Sequence, residues 1–291
     1  VNHPDARVKQ LSEHVWIYRH NWDRLEPTVG MILTEEGWIV VDGGNCPRHG
    51  RQVVDALRQI RDLPVRYVVC THRHFDHVFG NQAFEAPVLG SVRFQQRLEE
   101  NLKEDWAPGR ALAWLKATIF QYNKLLSEED FQGLNLVPPS PGVEGEYTLH
   151  EGKISVVLFP LEGVHSDDGI GVFVPEERVV LLGDAFYFQG TPEGSALKLL
   201  PLVERVAALD AKVFAPGHER AFERAVFDQF CDYVRELNET VHRLVDSKLD
   251  AAAIFKQYPF PKRYRNTSFL TEKTHRLLLK AGVRELSESK N

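Results

Sequence analysis

The chain has 291 residues, 43% hydrophobic and 26% charged, the composition of an ordinary globular protein with a real core. With a net charge of -6, nothing suggests a nucleic-acid backbone or an anionic membrane as the main partner. Its three cysteines, Cys46, Cys70 and Cys231, are odd in number and widely spaced, which excludes a disulfide framework and a zinc knuckle.

The start, Val1 to Gln10, is polar and lacks the apolar core of a signal peptide. The chain begins at Val1 rather than Met, as a processed or trimmed product would. No stretch is long or apolar enough to span a bilayer, so a cytoplasmic location is expected. Val15 to Tyr18, Thr28 to Thr34 and Trp38 to Val41 are short β-rich runs punctuated by Glu35-Glu36-Gly37 and Asp42-Gly43-Gly44. Pro47 to Arg61 has helical spacing, with Val53, Val54, Leu57 and Ile60 on one face. Val65 to Cys70 is an apolar strand interrupted only by Arg66, and it runs straight into a histidine cluster. Residues 91 to 130 are helical in pattern, broken at Pro108-Gly109, and carry Trp106, Trp114, Phe120 and Tyr122 among charges of both signs. Strands return at Ile154 to Pro160, Gly169 to Val174 and Val179 to Leu182. Ser195 to Leu209 is a helix, and Lys212 to Ala215 is a strand ending at Pro216-Gly217-His218. From about Ala221 the chain is mostly helix, with a break near Pro259 to Pro261. Strand–helix alternation of this kind predicts sheets with helices packed outside them, in two similar halves set face to face. The expected organisation is a catalytic domain over residues 1–220, with the helical segment of about 91–130 inserted in it. A helical C-terminal extension, 221–291, packs on the same domain.

The decisive run is Thr71-His72-Arg73-His74-Phe75-Asp76-His77. It puts three imidazoles and a carboxylate, the ligands zinc and similar ions take, directly after a buried strand. In an extended segment residues two apart point the same way, so His72 and His74 can grip one ion. Asp76 and His77 follow the bend and can face a second. A surface loop rich in histidine would look similar locally. Three further candidates at later strand ends argue against it: His165 in Gly163-Val164-His165-Ser166, Asp184 in Leu182-Gly183-Asp184, and His218. Two ions roughly 3.5 Å apart could share a bridging hydroxide.

This pattern, His-x-His-x-Asp-His followed by a distant His, an Asp and a last His, resembles the metallo-β-lactamase superfamily over roughly residues 14 to 220. The resemblance implies an α/β fold, an αββα sandwich of two mixed sheets, with the metals at one edge. It implies that His72, His74 and His165 hold the first metal and Asp76, His77 and His218 the second, with Asp184 bridging. Asp42, in Val41-Asp42-Gly43-Gly44, resembles the family's buried aspartate that orients the site, or is a plain turn residue. With both His77 and Asp184 present and no cysteine near Asp184, the chain is more similar to the glyoxalase II, lactonase and phosphodiesterase branches than to true β-lactamases.

The implied activity is metal-dependent hydrolysis of a carboxylic ester, lactone or thioester in a small-molecule substrate. The implied cofactors are two divalent ions, zinc first, with manganese or iron as alternatives. Asp76, Asp184 and Tyr187 are the residues expected to act on the reacting atoms. Tyr187 resembles a carbonyl-donating tyrosine of acyl-homoserine lactonases, although Phe186-Tyr187-Phe188 could equally be core packing. His20 lies where a strand ends, on the rim or surface. His3, His14, His49, His150, His242 and His275 carry no ligand pattern. Competing readings are a small-molecule phosphodiesterase with the same cage, an iron-dependent sulfur dioxygenase, and a metal-binding scaffold without activity. The helices of 91–130 could form a lid walled by Trp106 and Trp114, or those rings could anchor the helices or form a dimer interface. No nucleic acid and no membrane are expected as partners, and a homodimer is possible.

Overall fold

In the computed structural model, two six-stranded β-sheets carry the fold. The structure describes residues 6–102, 106–118, 125–161, 163, 165–186, 195–245, 251–264 and 270–289. The first sheet holds β1 (Val8–Gln10), β2 (Val15–Tyr18), β3 (Val29–Leu33), β4 (Trp38–Val41), β5 (Val65–Val69) and β6 (Val88–Leu89), side by side in that order. The second holds β7 (Tyr147–Glu151), β8 (Ile154–Pro160), β9 (Ile170–Val174), β10 (Val179–Gly183), β11 (Val213–Pro216) and β12 (Phe222–Glu223), again in sequence order across the sheet. Both sheets are mixed. β4–β5, β5–β6 and β10–β11 pair in parallel, and the remaining neighbours are antiparallel. Parallel neighbours need a crossover, and helices supply it. α1 (Pro47–Ile60) joins β4 to β5, and α5 (Leu199–Ala207) lies between β10 and β11.

The alternation of side chains along each strand sets the layers. In β4, Trp38 and Val40 pack toward the α1 side, whereas Ile39 and Val41 meet the opposite sheet. In β10, Val179 and Leu181 point between the sheets, while Val180 and Leu182 pack on the second helical layer. Both faces of these strands are apolar because both are buried. Each such Val, Ile or Leu contributes about 1.5–3 kcal/mol of transfer free energy, so a polar residue at any of them would be costly.

The helices close the outer faces. α1 buries Val53, Ala56 and Leu57 on the first sheet. α6 (Arg224–Leu244) buries Phe227, Phe230, Val234, Leu237 and Val241, a stripe at helical spacing. It shares its core with β8, β10, β11, α5 and α8 (Glu272–Ser289), so the C-terminal helices supply the outer layer of the second sheet. The shorter α7 (Ala251–Gln257) lies between them in sequence. Between the sheets in sequence come α3 (Val92–Asn101) and α4 (Pro108–Thr118). Pro108 is the first residue of α4 rather than a break inside a helix, a position where its missing N–H costs nothing. Ser91 caps α3 by accepting the Phe94 N–H. Among the described residues, no helix is long and apolar enough to cross a membrane.

Candidate metal centre

The site forms where strands of both sheets end. After β5 the chain bends at Thr71 and His72, is extended at His74, and then folds into a one-turn helix, α2 (Phe75–Val78), which carries Asp76 and His77. His165 lies in the β8–β9 connection, Asp184 directly follows β10, and His218 comes two residues after β11. All seven predicted ligands converge. The donor atoms of His72, His74 and His165 lie within 4.8 Å of one another, and so do those of Asp76, His77, Asp184 and His218. His72, His77, His165, Asp184 and His218 are buried; His74 and Asp76 are half-buried.

Asp184 touches both sets. Its Oδ1 stands 3.4 Å from His77 Nε2, and its Oδ2 stands 3.5 Å from His165 Nε2 and 3.3 Å from His218 Nε2. Asp76 Oδ2 lies 2.9 Å from His218 Nε2 and 3.6 Å from His77 Nε2. Close approach demands glycine beside these groups. A Cβ on Gly217 would collide with Asp184 Oδ1, and Gly183 has a φ of +50° against the Thr71 side chain.

Do these residues suit metal ions? His74 Nδ1 faces His72 Nε2 at 3.0 Å and His165 Nε2 at 2.8 Å. One proton on that nitrogen cannot serve two partners. Zinc–nitrogen bonds of about 2.0–2.1 Å would hold such nitrogens roughly 3.3 Å apart, so the crowding suits a shared cation. Among the described residues, His77 Nε2 and Asp184 Oδ1 are buried without a hydrogen-bond partner, a cost that a cation would remove. The donor set, imidazole and carboxylate without thiolate, suits a divalent ion of zinc's type.

The electrostatics agree with two chemically distinct halves. Burial pushes the His72 pKa well down, and the neighbouring His77, His74 and His165 reinforce this, so His72 is a neutral donor. Burial alone would lower His77 and His218 too. The carboxylates of Asp42, Asp184 and Asp76 outweigh it for His77, and those of Asp184 and Asp76 push His218 up to about 9. Burial would raise Asp184, but His218 and His77 hold it well below the usual carboxylate range.

The surroundings fix the rings. Asp42 accepts from Thr71 N at 2.7 Å and from the Thr71 hydroxyl at 3.0 Å, and it faces His77 Nδ1 at 2.8 Å. With its hydroxyl proton on Asp42, Thr71 Oγ1 can only accept from His72 Nδ1, 3.1 Å away. Both rings are thereby turned to present Nε2 to the site. Asp42 is thus more than a turn residue. Thr71 had no role in the sequence reading, although it directly precedes the first ligand. Trp22 was also missed. Its half-buried ring stacks on His218 at 4.9 Å and 29°, and His20 meets Trp22 edge-on at 6.3 Å. Burial, then His218 and nearby arginines, lower His20 to about 4. Trp106 and Trp114 pack on each other, both touch Phe79, and Trp114 also meets Phe75. They anchor the inserted helices on the turn that carries Asp76 and His77. Tyr187 lies outside the described residues.

A sandwich of two mixed sheets with two adjoining His/Asp ligand sets at its edge is the frame of a candidate two-metal site. Comparison with known proteins gives its kinship. Residues 22–218 match the family model of the metallo-beta-lactamase superfamily, and the chain belongs to that superfamily. A linear primary-alkylsulfatase of Pseudomonas sp. (strain ATCC 19151) is 25% identical over 217 residues, 65% of this chain and 40% of that protein. A probable metallo-hydrolase, YqjP, of Bacillus subtilis (strain 168) is 23% identical over 278 residues, 82% of each chain. The structure of the stereoselective inverting sec-alkylsulfatase Pisa1 from Pseudomonas sp. superimposes with a TM-score of 0.72 at 15% identity, over 96% of this chain and 50% of that one. That likeness shows the fold alone. The chain therefore spans half or less of the length of these two alkylsulfatases.

Proposed function

We propose that this protein hydrolyses an ester bond of a small molecule with two divalent metal ions, zinc first among them. The observation that supports this most directly is Asp184, whose two oxygens face donors of both ligand sets. His72, His74 and His165 would hold one ion, and Asp76, His77 and His218 the other, with Asp184 between. Such ions supply a hydroxide nucleophile near neutral pH and polarise the bond under attack. The protein's own part is orientation. Asp42 and Thr71 fix the rings of His77 and His72. Asp76, half-buried beside His218, is placed to hold a water in line. Trp22 covers one face of His218 with an apolar ring.

The proposed bond is that of a carboxylic ester, lactone or thioester. A sulfate ester is the second reading, favoured by the similarity to a linear primary-alkylsulfatase. Initial rates on a lactone, a thioester, an aryl ester, a primary alkyl sulfate and a phosphodiester decide between them, with Asp184→Asn as the control. The account expects a carbonyl ester rate that the substitution abolishes. A rate on the alkyl sulfate alone would move the assignment to the second reading. A rate unchanged in Asp184→Asn would overturn the metal-centred proposal.

A further inference from the structure

On the flank of the metal centre, against the segment that follows His165, lies a cavity of about 400 Å³. Ile170 borders both this cavity and the cleft lined by His72, His165 and Asp184. One wall is the start of α3, which projects Arg93 and Arg97 one turn apart on the same face. The other is formed by Val143 and Pro160. The volume lies within the range of small-molecule sites.

The charges of this flank are unevenly matched. Arg97 reaches Asp167 at 2.7 Å and Arg93 reaches the same carboxylate at 3.0 Å. Arg73, which stands between His72 and His74, lies 3.8 Å from Asp167 and 3.5 Å from the fully buried Asp168. Two of these guanidiniums, on Arg93 and Arg97, share the single Asp167 carboxylate beside the cavity. Glu100 and Glu144 stand on the cavity's border, and among the described residues neither pairs with Arg93 or Arg97. An ion pair made only for stability would need one arginine on Asp167, and long exposed side chains gain little from such pairing. Here Asp167 instead gathers two forks beside an open volume. Each uses one terminal nitrogen on Asp167, and their side chains remain 54% and 40% exposed. A guanidinium carries five donors in a planar fork, so each keeps N–H groups suited to an oxyanion.

We infer that this cavity is a subsite for an anionic group of the substrate, remote from the bond that is cleaved, with Arg93 and Arg97 as its specificity-determining side chains. The inference rests on the hydrolase reading in taking the ligand to be part of the substrate. The substrate class is then bifunctional. Its ester lies at the metal centre, and a carboxylate, sulfate or phosphate lies beyond the Asp167–Ile170 segment. Asp167 holds the two forks in place and need not touch the ligand.

Two measurements on the metal-loaded 291-residue chain test this. The first titrates phosphate, sulfate and acetate into wild type, Arg93→Gln/Arg97→Gln and Arg93→Lys/Arg97→Lys by calorimetry, with chloride as the screening control. The metal ligands are intact in all three proteins, so any difference reports the flank. Wild type should bind one of the oxyanions at least about tenfold more tightly than the Gln double variant, the loss expected for charge-assisted hydrogen bonds. The Lys variant, which keeps charge but loses the fork, should fall between and show that the fold survives. Preference for phosphate or sulfate identifies a tetrahedral group, and preference for acetate a carboxylate. Equal affinity in wild type and the Gln variant, or no oxyanion effect beyond chloride, overturns the subsite. The second compares hydrolysis of two esters that differ only by a distal carboxylate. The KM advantage of the charged ester should vanish in the Gln variant while kcat holds. Failure of all hydrolysis in wild type would sink the proposed function, yet the titration would still decide the subsite.

Discussion

At the end of β4, Asp42 adopts a φ of +68°, a left-handed conformation that aspartate tolerates better than most residues. The turn aims one carboxylate at three donors: the Thr71 N–H, the Thr71 hydroxyl and the His77 ring. A carboxylate can accept all three; an asparagine amide offers a single acceptor oxygen. Asp42→Asn should therefore weaken zinc binding by about 10- to 100-fold, the usual cost of losing such an orienting partner. Competition against a chromophoric chelator reads this directly, and wild-type affinity in the variant would remove Asp42 from the account. The seven metal-binding candidates were legible in the sequence because their spacing is a chemical pattern in itself. Asp42 was legible only as an ambiguity, since Asp-Gly-Gly is also an ordinary turn. Thr71 and Trp22 were not legible, because their roles arise from contacts with His72 and His218 that local sequence does not encode.

Between elements, a buried charge cluster fastens the loop that carries Trp22. Glu26, fully buried, pairs with Arg7 at 2.5 Å, with Arg48 at 2.5 Å and with Arg24 at 3.4 Å. Asp130, beyond the inserted helices, pairs with Arg24 at 2.7 Å and with Arg48. The cluster thus joins the segment before β1, the loop before β3, the first turn of α1 and the end of the insertion. Burial alone would raise the pKa of Glu26, but the guanidiniums of Arg7 and Arg48 hold it below 4.5. A carboxylate depressed in the fold contributes stability that is complete above its unfolded value and is lost as pH falls through the folded one. Fully buried His49 sits beside it and is lowered from 6.5 to about 3, chiefly by burial. The unfolded chain therefore gains a proton below 6.5 that the folded chain refuses, and this also removes stability on acidification. Glu26→Gln, which leaves three arginines short of a counter-charge, should cost about 3 kcal/mol at pH 7. The gap from wild type should narrow as pH falls below 4.5, where wild type loses the same charge. Urea midpoints at pH 7 and pH 4 measure both values, and a gap independent of pH would contradict the ion-pair account. The insertion itself was legible as two helices with aromatic residues. Whether those rings walled the site or anchored the helices depended on through-space partners, and Phe75 and Phe79 supply the anchor.

Over the whole molecule, the two sheets repeat one plan. Antiparallel strands lead to a parallel pair joined by a helix, and the ends of those parallel strands meet at the metal centre. The central strands were legible because burial on both faces makes them continuous apolar runs. The four strands that escaped sequence reading, β1, β6, β7 and β12, are the four sheet edges. Short edge strands owe their conformation to the neighbour they pair with, so their own residues announce little. The C-terminal helices were legible as helices, but their place over the second sheet was not. Phe227 stacking on Phe214 at 4.4 Å pairs residues that only the folded chain brings together.

The central claim is that this sandwich edge holds two metal ions through two ligand sets joined by Asp184. The most direct measurement is the metal content per chain, by elemental analysis after zinc loading and desalting, in wild type, His165→Ala and His218→Ala. The account predicts about two equivalents in wild type and about one in each variant, because each substitution opens one set and leaves the other closed. One equivalent or none in wild type, or two equivalents retained in both variants, would contradict it.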